Sequence, residues 1–432
     1  MRGVARDTPR SAVAAMLALA AALFVLLPAV PTAAAEYILV PMDLQQADHL
    51  KAYGLAYYAL QQGLVVEWAL NYRAGSFAIP AADFLDRKAR LFGVTTERMD
   101  EAGHEALKAT VASSNMEIIR LEKAPRVAIY TPPNKQPWDD AVTLALTYAE
   151  IPYATLWDGE VLSGSLTEYD WLHLHHEDFT GQYGKFYASF RNEEWYRREV
   201  VVSEHLSREA GFDKVSEHKK AVARSIKRYV AEGGFLFAMC SATDTYEIAL
   251  AAENTDVCDV MMDGDPPDAR AQSSLDFGKC LAFERFVLEM NPLVYEFSDI
   301  DVSDYQGGSA EEDAFTLFDF SAKFDPVPAM LTQDHTAIIP GFLGQTSGFR
   351  HRVLKPSALV LGEKEESDEV KYLHGNFGRG TFTYLGGHDP EDYQHAVGDP
   401  PTDLSLHRNS PGYRLILNNI LFPAAKKQER KT

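Results

Sequence analysis

From Tyr37 onward two hydrophobic patterns alternate: apolar runs of strand length, and stretches whose apolar residues recur every three to four positions. Tyr37–Met42 (YILVPM) predicts a strand. Leu44, Ala47, Leu50, Tyr53, Gly54, Tyr57 and Tyr58 then share one helical face that Gly63 ends, and LVVEWAL (64–70) predicts a second strand. Residues 81–114 keep helical spacing, broken near Gly93 and Thr95, and MEIIRLE (116–122) predicts another strand. Residues 36–123 therefore read as a small N-terminal α/β domain.

The alternation restarts at 124. RVAIYTP (126–132), YATLWD (153–158), YDWLHLHH (169–176) and FLFAMC (235–240) predict strands. WDDAVTLALTYAEI (138–151) and SEHKKAVARSIKRYVAEGG (216–234) predict helices, and Ala221, Val222, Ile226, Tyr229 and Val230 share a face in the second. This order predicts an α/β fold, a parallel sheet flanked by helices, with its site at the carboxyl ends of the strands. Regularity fades over about 255–355, which we read as an insertion in a second domain spanning 124–432. It contains two acidic stretches, 261–268 and 299–313. The second fails the EF-hand pattern, because Asp304 stands where that loop requires glycine, so both read as solvated loops. Regularity returns with SALVLGE (357–363), a hairpin over 369–387 turning near Asn376–Gly380, and a closing helix at 412–422.

Charge narrows the partners. The net charge of −21 repels phosphate backbones and excludes nucleic acid as the natural partner, leaving a small molecule. Arg2, Arg6 and Arg10, the apolar run Ala12–Val30 and the small residues of PTAAAE predict a signal peptide over 1–35, cleaved after Ala35. The mature chain is then exported, periplasmic or secreted, and holds no later membrane span. Three cysteines, Cys240, Cys258 and Cys280, leave one unpaired even if Cys258 and Cys280 join.

The candidate chemistry clusters at strand ends. In GGFLFAMCSATDTYE (233–247) an apolar run stops at Cys240 and a capped helix begins. A nucleophile on such an elbow needs small residues two positions either side, and Ala238 and Ala242 stand there. Thr243 or Asp244 would cap the helix, whose N-terminus would lower the thiol pKa. An ordinary buried cysteine fits the same local pattern. His388 follows a Gly-Gly turn and precedes Asp389 and Glu391, the form of a general base beside its orienting acid. In LHLHHEDF (172–179), His173 and His175 point to one face of a strand and His176 to the other. His173 and His175 have the spacing of a divalent-metal pair, which Glu177 or Asp178 could complete with His388 or His395. Tyr183, in DFTGQYGKFYASFR, and Arg408, in the loop after His388, are candidate cleft residues.

EGGFLFAMC followed by a helix, and later GRGTFTYLGGHDPEDY, resemble the class I glutamine amidotransferase-like superfamily over about 124–255 and 355–422. The His388 segment is most similar to its ThuA-like branch. The resemblance implies a flavodoxin-like sheet, with Cys240 as nucleophile, His388 as base and Glu391 as orienting acid. HLKAYG, QPWDDAVTLALTYAEIPY, YDWLHLHHEDFTGQYGKF and NSPGYRLILNNILFP resemble bacterial proteins labelled asparagine synthetase B. ATP-dependent asparagine synthesis is not expected: Arg2, not cysteine, follows Met1, and no ATP-pyrophosphatase loop occurs. Three readings stand open: a cysteine-dependent hydrolase or amidase acting on a small amide, ester or sugar-linked substrate; a metal-assisted enzyme built on His173, His175 and His388; and a non-catalytic binding protein.

Overall fold

Besides Met1, the computed structural model describes residues 36–133, 140–302, 312–342, 344–392 and 398–425. The expected leader and His395 lie outside the described residues. The strands Glu36–Val40 (β1), Val66–Leu70 (β2), Ser76–Pro80 (β3), Glu97–Asp100 (β4) and Glu117–Leu121 (β5) form an antiparallel sheet ordered β4-β1-β3-β2-β5. The hydrophobic pattern announces β1, β2 and β5 but misses two strands. β4 (ERMD) is almost wholly exposed and polar, so it carries no alternation to read. β3 follows a turn whose residues Asn71, Arg73, Ala74 and Gly75 all have positive φ, which folds it straight back on β2.

The second sheet has ten strands: Val127–Tyr130 (β6), Tyr153–Leu156 (β7), Trp171–Leu174 (β8), Phe235–Met239 (β9), Phe315–Leu317 (β10), Ile338–Ile339 (β11), Phe349–Arg350 (β12), Leu359–Glu363 (β13), Glu369–Phe377 (β14) and Gly380–Leu385 (β15). Its order is β11-β10-β13-β14-β15-β9-β8-β6-β7, with β12 on β14. From β7 to β15 neighbouring strands are parallel; beyond β15 they are antiparallel. The sheet is therefore mixed, where the alternation predicts a parallel sheet with one hairpin over 369–387. The cause is local: only Gly378 and Arg379 separate β14 from β15, and so short a link permits only a hairpin. The irregular stretch before β12 adds β10 and β11 to the antiparallel edge.

Parallel neighbours need helical crossovers. Helices Ala141–Tyr148, Asp158–Ser163, Glu194–Glu209 and Val215–Ala231 lie between β6 and β9 in the chain. Helix Cys240–Ala251 leaves β9 directly and is buried along its whole length. Trp68 and Phe77 of the first sheet share one hydrophobic cluster with Ile129, Trp171 and Phe237 of the second and Leu417 of the last helix, Pro411–Leu421.

Candidate functional site

The carboxyl ends of β8, β9 and β15 meet at one place. β8 ends at Leu174, and the chain runs on through His175, His176 and Glu177. The first turn of helix Cys240–Ala251 is tied to this segment: Ala242 N–H donates to the His175 carbonyl (3.4 Å), Ser241 Oγ to the His176 carbonyl (3.2 Å) and Thr245 Oγ1 to the Glu177 carbonyl (2.7 Å). Beyond β15, the turn Gly386–Gly387 brings in His388, whose ring lies 4.4 Å from that of His175 and 6.1 Å from that of His176.

The histidines converge. One nitrogen each from His175, His176 and His388 lies within 4.8 Å of the others. Behind them, Asp140 Oδ1 faces His173 Nε2 at 3.3 Å and His175 Nδ1 at 3.6 Å. Asp140 is the N-cap of helix Ala141–Tyr148 and accepts from the backbone N–H groups of Val142 and Thr143. Burial raises its carboxyl, but His173 and His175 outweigh that and hold it well below the usual range. His173 is fully buried and its Nδ1 lies 3.1 Å from the Phe237 carbonyl. Burial and the charge of His388 push the His176 imidazole well below its ordinary value, so it is neutral, the ligating form. Glu177 Oε2 accepts the His175 N–H at 2.8 Å, and burial pushes its carboxyl up to about 8. Sequence reasoning missed Asp140. The acid pair Asp139–Asp140 before an apolar helical run is the available signal, and the expected helix 138–151 takes it in as ordinary helical sequence.

Cys240 occupies a true elbow. Its φ is +48°, a left-handed conformation that costs a non-glycine residue about 1–3 kcal/mol and persists where surroundings enforce it. The backbone N–H groups of Thr346, Ser241 and Gln345 point at its sulfur. A β-carbon on Gly344 would stand 3.0 Å from that sulfur and 3.2 Å from Gly387 Cα, so the loop closes over the thiol. The expected lowering of its pKa is overturned. Burial raises the thiol, and the backbone donors offset that only in part. All three cysteines are free thiols: Cys258 Sγ donates to the Thr180 carbonyl and Cys280 Sγ to the Glu247 carbonyl, so the Cys258–Cys280 pairing does not form.

The remaining candidates separate. Glu391 pairs with His407 at 2.9 Å. Asp389 is buried and accepts from Thr402 Oγ1, Tyr413 OH and the Glu391 N–H, a structural set. Arg408 is exposed, with its Nε on the Ser405 carbonyl. Asp178 accepts from Thr180 and from the Gly184 N–H, fixing the loop that carries Tyr183. In that loop Tyr183, Gly184 and Lys185 all have positive φ. Lys185 is buried, with its ammonium on the carbonyls of Glu289 and Glu296 at 2.7 Å each, which holds the strained turn in place. Tyr183 thereby joins Trp157, Phe186 and Trp195 around a pocket that also reaches His176, Glu177 and Asp178.

No family model matches this chain, and no curated protein matches it. Among solved structures, the cytoplasmic protein STM3548 from Salmonella typhimurium is similar with a TM-score of 0.34 and 11% identity, covering 70% of this chain and 100% of that one. The cytoplasmic protein STM1381 from Salmonella typhimurium LT2 gives a TM-score of 0.35 and 12% identity over the same shares. A beta-galactosidase from Bacillus circulans sp. alkalophilus gives 0.26 and 12%, covering 68% of this chain and 32% of that one.

Proposed function

We propose that this chain is a metal-dependent hydrolase of a small substrate, its ion held by His175, His176 and His388. The convergence of three imidazole nitrogens within 4.8 Å of one another carries this reading. Three imidazoles with a fourth position open form the donor set of a catalytic zinc site. Such an ion supplies an activated water and polarises a carbonyl. The Asp140 carboxylate faces His175 Nδ1, which leaves Nε2 as the ligating nitrogen and orients the ring. Untagged protein dialysed against zinc should retain about one equivalent, as a three-imidazole site does. His175→Ala and His388→Ala should retain none. Protein that refuses zinc overturns the reading.

A second reading keeps Cys240 as the nucleophile of an amidotransferase-like hydrolase. It is favoured by the +48° elbow and by the order β7-β6-β8-β9-β15, all parallel, which is that of a flavodoxin-like core. Cys240→Ala separates the two: under the metal reading, zinc-dependent ester hydrolysis survives it. We also infer export from the leader pattern; the native N-terminus should be Glu36, and an intact Met1 would overturn that.

A further inference from the structure

We propose that the aromatic pocket beside His176 takes an uncharged aromatic ring, so that the substrate is an aryl-bearing ester or amide. Calling the ligand a substrate rests on the proposed hydrolase; the binding of the ring does not. Trp157, Tyr183, Phe186 and Trp195 line the pocket, and so do His176 and Glu177. A ring seated there is next to His176, one of the three proposed ligands of the ion. Small-molecule sites are mostly apolar and aromatic, with a few polar groups that fix orientation.

The ionisable groups of the lining decide what the ring carries. Lys219 Nζ donates to the two oxygens of Asp158, at 2.9 and 3.0 Å, and to Tyr130 OH at 2.9 Å. Asp178 accepts from the N–H and Oγ1 of Thr180 through one oxygen and from the Gly184 N–H through the other. Glu177 accepts the His175 N–H, and Glu199 accepts from Ser203 Oγ at 3.4 Å. Each is therefore engaged inside the protein. An ammonium or a carboxylate on the ligand would leave water without a counter-charge of its own, which is costly. A sugar ring, with hydroxyls on every edge, needs the same oxygens and fails on the same ground. What remains is aromatic surface, together with the Trp157 Nε1–H, buried with no hydrogen-bond partner among the described residues. An oxygen next to the ring would satisfy that donor.

The walls already form an edge-to-face array. Trp195 stands edge-on to Phe186 at 5.8 Å and to Tyr196 at 5.9 Å, and Tyr183 stands edge-on to Tyr196 at 6.4 Å. A further ring joins such an array in the geometry that the ring quadrupoles favour. Tyr183 sits in the left-handed turn that buried Lys185 anchors. Gln345 Nε2 donates to the Gly184 carbonyl of that turn at 2.9 Å, tying it to the loop over Cys240. Rings held in place before binding lose little freedom when a ligand arrives.

Benzyl alcohol, compared with benzylammonium, benzoate and methyl glucoside, tests this directly. Indole N–H signals of metal-free, full-chain mature protein should shift saturably with benzyl alcohol. The two ions and the glucoside should each bind at least about fivefold more weakly. Trp195→Leu, which keeps apolar bulk, should weaken benzyl alcohol about fivefold, the size of one aromatic pair, and Phe186→Leu should do the same. Glu199→Gln should leave its affinity unchanged, because the ligand carries no charge. Zinc retention by these variants, measured in parallel, should not change. No saturable shift with benzyl alcohol, or an ion or the glucoside binding as tightly, overturns the proposal. A protein that binds benzyl alcohol but no zinc keeps this inference and loses the hydrolase reading; zinc retention without ring binding does the reverse.

Discussion

Asp244 lies in the second turn of helix Cys240–Ala251, fully buried, with Ser298 Oγ donating to its Oδ1 at 2.9 Å and Oδ2 without a partner among the described residues. Burial pushes its carboxyl up to about 7, offset in part by Ser298 and Lys185. An unfolded aspartate titrates near 3.9. Between those values the unfolded chain releases a proton that the folded chain keeps, so stability falls as pH rises from about 4 to about 7 and then levels. Asp244→Asn keeps the acceptor for Ser298 and removes that slope. We expect its Tm to exceed the parent's at pH 7, by an amount of order a few kcal/mol in stability, and the gap to close near pH 4. A gap independent of pH would place the titration elsewhere. Cys240 gives a parallel case at single-residue scale. Its raised thiol and the loop above it predict slow alkylation by iodoacetamide at neutral pH, rising only in the alkaline range. The elbow itself was legible, from Ala238 and Ala242 flanking an apolar run's end. The direction of its pKa was not. Helix termini are visible in sequence, whereas burial by Gly344–Thr346, about a hundred residues away, is not.

Elements, not single residues, hold the site closed. The loop Gly344–Gly348 is clamped to the end of β15: Gly387 N–H donates to the Thr346 carbonyl and Gly386 N–H to the Lys371 carbonyl, both at 2.7 Å. Lys371, fully buried on β14, donates to the Ser347 carbonyl at 2.9 Å and pairs with Asp313 and Glu369. Gly387 has φ +90°, and a β-carbon there would stand 2.1 Å from Phe342 Cβ. Gly387→Ala should therefore lower the Tm by several degrees, a cost above about 2 kcal/mol. It should also speed alkylation of Cys240 as the loop lifts, and weaken zinc retention through His388. A variant with parental Tm and thiol reactivity would show that the clamp is dispensable. At this scale the sequence displayed half of the device. The Gly-Gly turn after an apolar run marks a tight bend, but its partner, GQTSG, has neither periodicity nor an apolar face. The aromatic pocket behaved likewise: Tyr183 stood out beside its glycines, while Trp195 and Lys219 sit on helices whose pattern reports only which face is buried.

Across the whole molecule, the boundary near 124 suggested by the restarting alternation is crossed by one core and by one buried cation. Arg414, on the last helix, has no exposure; it donates to Tyr53 OH at 2.9 Å, to the Met42 carbonyl at 3.1 Å and to the Ala74 carbonyl, with Asp334 at 3.8 Å. Tyr53, Met42 and Ala74 all belong to the N-terminal part, and Tyr53 OH donates in turn to Asn418. Periodicity identifies which residues of each element face inward, but not that residues of both sheets join one hydrophobic cluster. A guanidinium this enclosed is tolerable only with its donors satisfied, and removing it takes a donor from the Met42 and Ala74 carbonyls and a buried counter-charge from Asp334, which keeps only His335. Arg414→Met should cost about 3–5 kcal/mol, the range for breaking a buried charge network. Because the core is shared, parent and variant should each unfold in urea in one transition, with far-UV circular dichroism and tryptophan fluorescence superimposable. The segment 124–432 expressed alone would lose the packing of helix His49–Gln61 on helices Ala141–Tyr148 and Pro411–Leu421 and should not give a soluble, cooperatively melting protein. Two separate transitions, or a stable 124–432 fragment that retains zinc, would show instead that the site-bearing sheet folds without its N-terminal neighbour.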